Sequence, residues 1–246
     1  MQHLGQTRSS YQRDHLLQTP DTFIRAPLPG MWNATAIVHA GPAMGAAFAE
    51  YTVELAEDGN FELGAAQSLV YVIAGEVSLE VDSILHPMRS SQYAYLPGEV
   101  RGRVIAGVEP ARVAVIEKPY VPLNGASPQF FIGDERIVLP WPLGGDESLE
   151  VRALLPDEPS FDFAVNTMTF QPGATLPTVE IHVMEHGLLM LEGEGIYRLG
   201  NYWYPVKAGD FIWMAPYCPQ WFGALGKDPT KYLIFKDWNR HPLHAR

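Results

Sequence analysis

Four residues carry the chemistry this chain offers most plainly. Glu180, His182 and His186 stand in the frame E-x-H-x3-H, and Gln220 follows in Ala215-Pro216-Tyr217-Cys218-Pro219-Gln220. A carboxylate and two imidazoles are good ligands for a divalent cation, and the Gln220 amide adds a carbonyl oxygen. Carboxylate and carbonyl oxygens suit Mn2+, whereas imidazole suits Zn, Fe and Ni as well. An all-Cys/His set would have pointed to zinc, and this one does not. A six-coordinate ion held by four such residues keeps two positions for a bidentate substrate.

The backbone decides whether these donors meet. In an extended strand side chains alternate faces, so Glu180 and His182 point the same way. On a helix they would splay about 200° apart. His182 and His186 alone would share a helix face, but Gly193 and Gly195 argue against a long helix here. A β context therefore brings three of the four donors together.

Composition points the same way. Gly (22) and Pro (21) together exceed the usual share of roughly 12%, which favours turns and short strands over long helices. Hydrophobic residues make up 47% of the 246 residues, enough for a substantial core. The net charge of −11 disfavours nucleic acid and anionic membranes as partners, since phosphate binding needs a basic face. One cysteine, Cys218, excludes an intrachain disulfide and fits a reducing compartment. The first 14 residues lack an apolar stretch behind their basic residues, so no signal peptide is expected. No run reaches the roughly 18 apolar residues of a membrane helix. A cytoplasmic protein is expected, with a small-molecule partner.

Near-alternating runs such as Ala49-Glu50-Tyr51-Thr52-Val53-Glu54-Leu55 and Val77-Ser78-Leu79-Glu80-Val81 read as strands. The chain also repeats itself. Val70-Tyr71-Val72-Ile73-Ala74-Gly75-Glu76-Val77 resembles Leu188-Leu189-Met190-Leu191-Glu192-Gly193-Glu194-Gly195 at an offset of 118. Tyr93-Ala94-Tyr95-Leu96-Pro97 resembles Ile212-Trp213-Met214-Ala215-Pro216 at an offset of 119. Two matches at nearly one offset imply a duplicated β-unit. The expected architecture is all-β, with two tandem sandwich or jelly-roll barrels. The reading divides the chain into a polar arm (1–30), a first β domain (31–125), a linker (126–150) within a Pro/Gly-rich stretch that includes Trp141, and a second β domain (151–246).

The second half resembles the cupin superfamily, whose first motif is G-x5-H-x-H-x3-E-x6-G. Gly173 opens it one residue early, Glu180 falls on the first His, His182 on the second, His186 on the Glu, and Gly193 closes it. The second motif, G-x5-P-x-G-x2-H, opens at Gly209 and ends with Gln220 in place of the His. This set of Glu, His, His and Gln resembles that of the (S)-ureidoglycine aminohydrolases, bicupins of purine catabolism. Gly193-Glu194-Gly195-Ile196-Tyr197, Pro205-Val206-Lys207-Ala208-Gly209-Asp210 and the tail Tyr232…Lys236-Asp237-Trp238-Asn239-Arg240 carry the likeness further.

The resemblance implies a bicupin enzyme that releases ammonia from a small α-amino acid bearing a ureido group, giving ureidoglycolate. It implies Mn2+ held by Glu180, His182, His186 and Gln220, substrate contacts from Tyr197, Tyr232 and Lys236, and catalytic roles for Glu180 and Lys236. Lys236 would pair with the substrate carboxylate or polarise the ureido carbonyl. Bicupins of this type usually associate, so a homo-oligomer is expected. The first half departs from a metal site: its matching positions are Glu62, Gly64, Ser68 and Arg101. A Glu often stands in the family where this chain has Gln67, a departure that bears on substrate choice. Other cupin chemistries, an oxygenase, an isomerase or a metabolite-binding module, remain the alternatives. Cys218 reads as a packing thiol, His39 and His86 lack clustered partners, and His241 and His244 lie in a polar tail.

Overall fold

The computed structural model describes residues 6–123 and 127–237, so Trp238, Asn239, Arg240, His241 and His244 lie outside the described residues. The chain forms two compact units. One comprises residues 24–138 and 159–161; the other comprises residues up to 23, 139–158 and those from 162 on. No helix among the described residues is long and apolar enough to cross a membrane.

The strands are, in order, β1 (Ser10–Tyr11), β2 (His15–Gln18), β3 (Trp32–Ala40), β4 (Ala49–Glu62), β5 (Gln67–Ala74), β6 (Glu76–Val81) and β7 (Ile84–Arg89). There follow β8 (Gln92–Leu96), β9 (Gly102–Ala106), β10 (Ala111–Lys118), β11 (Phe131–Asp134), β12 (Trp141–Leu143) and β13 (Asp146–Ala153). The last seven are β14 (Ala164–Phe170), β15 (His186–Glu192), β16 (Glu194–Leu199), β17 (Tyr202–Lys207), β18 (Phe211–Met214), β19 (Gln220–Leu225) and β20 (Thr230–Lys236). In the first unit β11-β8-β5-β10-β4-β9-β6-β7 form one curled sheet, with β3 added to β4. In the second, β1-β2-β18-β15-β20-β14-β13-β12 form one sheet and β17-β16-β19 another. Both are antiparallel, as tight turns between successive strands require.

The repeat seen in the sequence is structural. β4 to β10 of the first unit recur as β14 to β20 of the second. The matched glycines show why the chain kept them. Gly75 and Gly193 end β5 and β15 with φ of 79° and 73°, a left-handed conformation that side chains resist. A Cβ at these positions would stand 2.6 Å from Pro110 O and 2.7 Å from Pro229 O. Each turn thus passes too close to the next strand pair for any residue but glycine.

Each unit has its own apolar core. In the second, alternate residues of the two sheets face each other: Leu188, Met190, Tyr232 and Ile234 from one, Tyr197, Leu199, Phe222 and Ala224 from the other.

The observed boundaries differ from those expected. Part of the expected arm is built into the second unit's sheet: β2 pairs with β18, setting His15 against Met214 and Leu17 against Ile212. Leu17 is fully buried. The polar residues around it do structural work. Arg8 grips the buried Asp210 carboxylate with two hydrogen bonds of 2.6 and 2.8 Å. Ser9 Oγ lies within hydrogen-bond distance of the hydroxyls of Thr19 and Thr22. The expected linker contains β11, β12 and the start of β13, with Trp141 opening the edge strand β12.

Candidate metal centre

Three strands of the second unit deliver site residues at their ends. His186 is the first residue of β15 and shares a face with Leu188 and Met190, which lie in the core. Lys236 ends β20 on the face of Tyr232 and Ile234, and it stands directly across the ladder from His186. Gln220 opens β19 on the face of Phe222 and Ala224. Tyr197 faces inward from β16, opposite Phe222. The donors therefore gather at one end of the unit's core, where the apolar alternation gives way to polar side chains.

Glu180 and His182 lie outside any regular strand. Glu180 forms an isolated bridge with Gln220, exchanging both backbone bonds: Glu180 N to Gln220 O at 2.8 Å and Gln220 N to Glu180 O at 2.9 Å. Directly opposed residues of this kind project their side chains to one face, so the bridge keeps the carboxylate beside the amide. His182 is fixed by its carbonyl, which accepts from Tyr217 N at 2.7 Å.

The two imidazoles meet through their Nε2 atoms, 3.3 Å apart, with ring planes at 79°. His186 Nδ1 lies 3.0 Å from Phe235 O; only a protonated Nδ1 can bond a carbonyl, which leaves the neutral ring's Nε2 with a lone pair. Gln220 Nε2 lies 2.8 Å from His182 Nε2, so as oriented that amide donates to a second lone pair. His182 Nδ1 is then buried without a hydrogen-bond partner. Two lone pairs face each other, an unfavourable arrangement that a cation between the rings would relieve. Burial pushes the His186 pKa down to about 3, and it lowers that of His182 too, with the charge of Lys236 adding to both shifts. Neutral rings are what metal ligation requires.

Tyr197 donates to Gln220 Oε1 at 3.4 Å. Tyr197 and Tyr232 are fully buried, and burial raises both phenols well above their ordinary pKa, so both stay protonated donors. Tyr232 packs against Phe170 and Phe222. Burial lowers the Lys236 pKa, while the charge of Glu180 opposes that shift.

Sequence reasoning passed over Asn166. Its amide is oriented to donate to Val165 O and accept from Lys236 Nζ, each at 3.0 Å. The opposite orientation would set oxygen against oxygen and amide hydrogens against ammonium hydrogens. The available signal was an Asn inside the apolar run of β14, where strands rarely use it. Asn166 and Lys236 line a cavity of about 290 Å3 with Trp141, Ala153, Leu155, Pro156, Asp157, Ala164 and Met184. Glu185, between the two histidines, was also passed over: it is buried and accepts from Trp213 Nε1 at 2.7 Å.

Among the described residues, one set of three Cys, His, Asp or Glu donors lies within 4.8 Å of one another, and it is Asp14, His15 and Cys218. Glu180 is not drawn that close to His182 and His186. Both nitrogens of His15 are already engaged, Nδ1 with Asp14 and Nε2 with Tyr204 Oη, each at 2.9 Å, so these residues anchor β2. In the first unit, Ser68 occupies the place of His186 at the start of β5 and bonds Ala66 O at 3.2 Å. Gln67 is buried and accepts from Tyr95 Oη at 2.9 Å. His39 bonds Thr52 Oγ1 at 2.9 Å.

Two facing β-sheets with polar donors gathered at one end of their core define a cupin barrel, and residues 166–236 match the family model described as a cupin domain. The chain is 41% identical to the (S)-ureidoglycine aminohydrolase of Arabidopsis thaliana over 97% of its own length and 80% of that protein's. It is 31% identical to the (S)-ureidoglycine aminohydrolase of Escherichia coli K12 over 91% of its own length and 88% of that protein's. Protein Ylba from E. coli, a solved structure, superposes with a TM-score of 0.86 at 29% identity, covering 96% of each chain. The chain belongs to the (S)-ureidoglycine aminohydrolase family.

Proposed function

We infer that this protein is a hydrolase acting on a C–N bond, and that it releases ammonia from (S)-ureidoglycine to give ureidoglycolate. The observation that carries this reading is the full-length similarity to relatives that bear this one name. In the reaction, water supplies the hydroxyl that replaces the α-amino group, and the amine leaves as ammonia.

Glu180, His182, His186 and Gln220 are the residues that would hold a divalent cation, and the family resemblance makes that cation Mn2+, which carboxylate and carbonyl oxygens suit. The facing Nε2 atoms support that reading. Turning over the Gln220 amide would present its oxygen to the cation and its nitrogen to Tyr197 Oη, which accepts as readily as it donates. When bound, the cation would orient the substrate and stabilise developing negative charge. The chain's own groups do the rest. Lys236 offers an ammonium in the lining of the small cavity and binds the substrate carboxylate. Tyr197 and Tyr232 hold their protons and donate to the ureido carbonyl.

The test is ammonia release from (S)-ureidoglycine by the Mn2+-loaded protein. Release well above the spontaneous rate is expected, and no excess over that rate overturns the reading. Glu180→Ala is expected to lose metal and turnover together; a variant that keeps both removes Glu180 from its role.

A further inference from the structure

The side of the cavity that holds Lys236 has an unusual electrostatic design. Its ammonium reaches a neutral amide, Asn166 Oδ1, at 3.0 Å. Among the described residues, no carboxylate forms an ion pair with it. An ammonium has three N–H donors, so one contact orients it and two remain free. A neutral acceptor cancels no charge, whereas an aspartate of the same shape would hold the lysine in a closed ion pair. Asn166 is itself fixed, since its other amide end bonds Val165 O and its strand lies between β13 and β20. Two small residues beside it, Ala153 and Ala164, leave room for a ligand atom.

We propose that Asn166 is a positioning residue that aims the Lys236 ammonium into the cavity without closing it in an ion pair, so that it can bind the carboxylate of the substrate. This rests on the aminohydrolase reading for the identity of the anion. The contact between Asn166 and Lys236 stands without it. Asn166 acts on ground-state capture of the anion more than on the chemical step, and its loss therefore appears in KM before kcat.

The experiment compares wild type, N166D, N166A and K236A as Mn2+-loaded full-length proteins. KM and kcat for ammonia release, bound metal and the thermal midpoint are recorded for each. N166D is expected to raise KM by about ten- to a hundredfold, the range for a lost charge-assisted contact, with kcat within about threefold and metal content unchanged. A wild-type KM in folded N166D overturns the proposal. If N166D loses the fold, N166A decides: a raised KM at unchanged metal content supports the role, and a wild-type KM overturns it. A second readout does not need turnover. Acetic anhydride labelling of Lys236, followed by mass spectrometry, is expected to run faster in N166A than in wild type, and equal rates overturn the contact. A wild type that releases no ammonia defeats the aminohydrolase reading, and the labelling result then decides Asn166 alone.

Discussion

Metal affinity should be less sensitive to mild acid than that of a site built from ordinary histidines, and the size of the effect follows from the burial of the two rings. Consider a site built from two ordinary imidazoles with pKa near 6.5. At pH 5.5 about a tenth of each ring is neutral, so protons compete twice and affinity falls by about a hundredfold from its high-pH value. Here His186 is buried, its Nδ1 is committed to Phe235 O, and its pKa is pushed down to about 3. It is neutral throughout this range and contributes no loss. His182 is lowered in the same direction, so it contributes less than an ordinary ring. The net expectation is a fall of less than about tenfold between pH 7.5 and 5.5. Mn2+ titrations followed by the electron paramagnetic resonance of the free ion would measure it. Calorimetry at pH 6.5 in two buffers of different ionisation enthalpy gives an independent count of protons released. Two ordinary histidines would release about one proton in total at that pH, and the buried pair should release under about half of one. A hundredfold loss of affinity, or release of a full proton, would refute the reasoning that burial presets the ligands.

Two further perturbations test the fold around the site and its neighbour unit. Glu50 is buried with both oxygens unpartnered, and burial raises its pKa from 4.5 to about 8. The folded state therefore holds a proton that the unfolded state loses, and this contribution to stability is present below pH 4.5 and lost as pH rises through about 8. Glu50→Gln should remove that loss, so that its thermal midpoint gains on wild type by the equivalent of a few kcal/mol as pH goes from 5 to 8; parallel curves would contradict this. Arg8→Ala strands the Asp210 carboxylate, which is fully buried and, among the described residues, keeps only the Lys207 N–H at 2.9 Å. Because Arg8 itself is partly exposed, a cost of about 2–3 kcal/mol is expected, with faster hydrogen exchange in β1 and β2; an unchanged midpoint would show the clamp to be idle.

Much of this was legible in the chain. The duplicated strands were visible because the same tight turn, with a glycine that cannot be replaced, recurs at Gly75 and Gly193. The candidate donors were legible as residue types in motif spacing, but Glu180 and His182 lie outside any regular strand, and strand alternation accounts for the inward facing of His186 in β15 and Gln220 in β19 alone. Other features were not. Residues 1–30 looked like an arm because their composition is polar, yet Arg8, Ser9 and Thr19 are polar in order to bind Asp210 and one another. Trp141 looked like linker, yet it lines the cavity beside Lys236. Asn166 was silent because its meaning depends on a partner 70 residues away in sequence.

The sequence by itself determined which donor atoms the protein owns, and that one repeat has them while the other has Ser68 and Arg101 in their place. These follow from side-chain chemistry and from the internal repeat. Only the tertiary structure decided that the two Nε2 atoms face each other at 3.3 Å, that their rings stay neutral, and that the ammonium of Lys236 rests on a neutral amide. Protonation and orientation depend on desolvation and on partners brought in by strand pairing across long stretches of chain, and neither is encoded in any local run of residues.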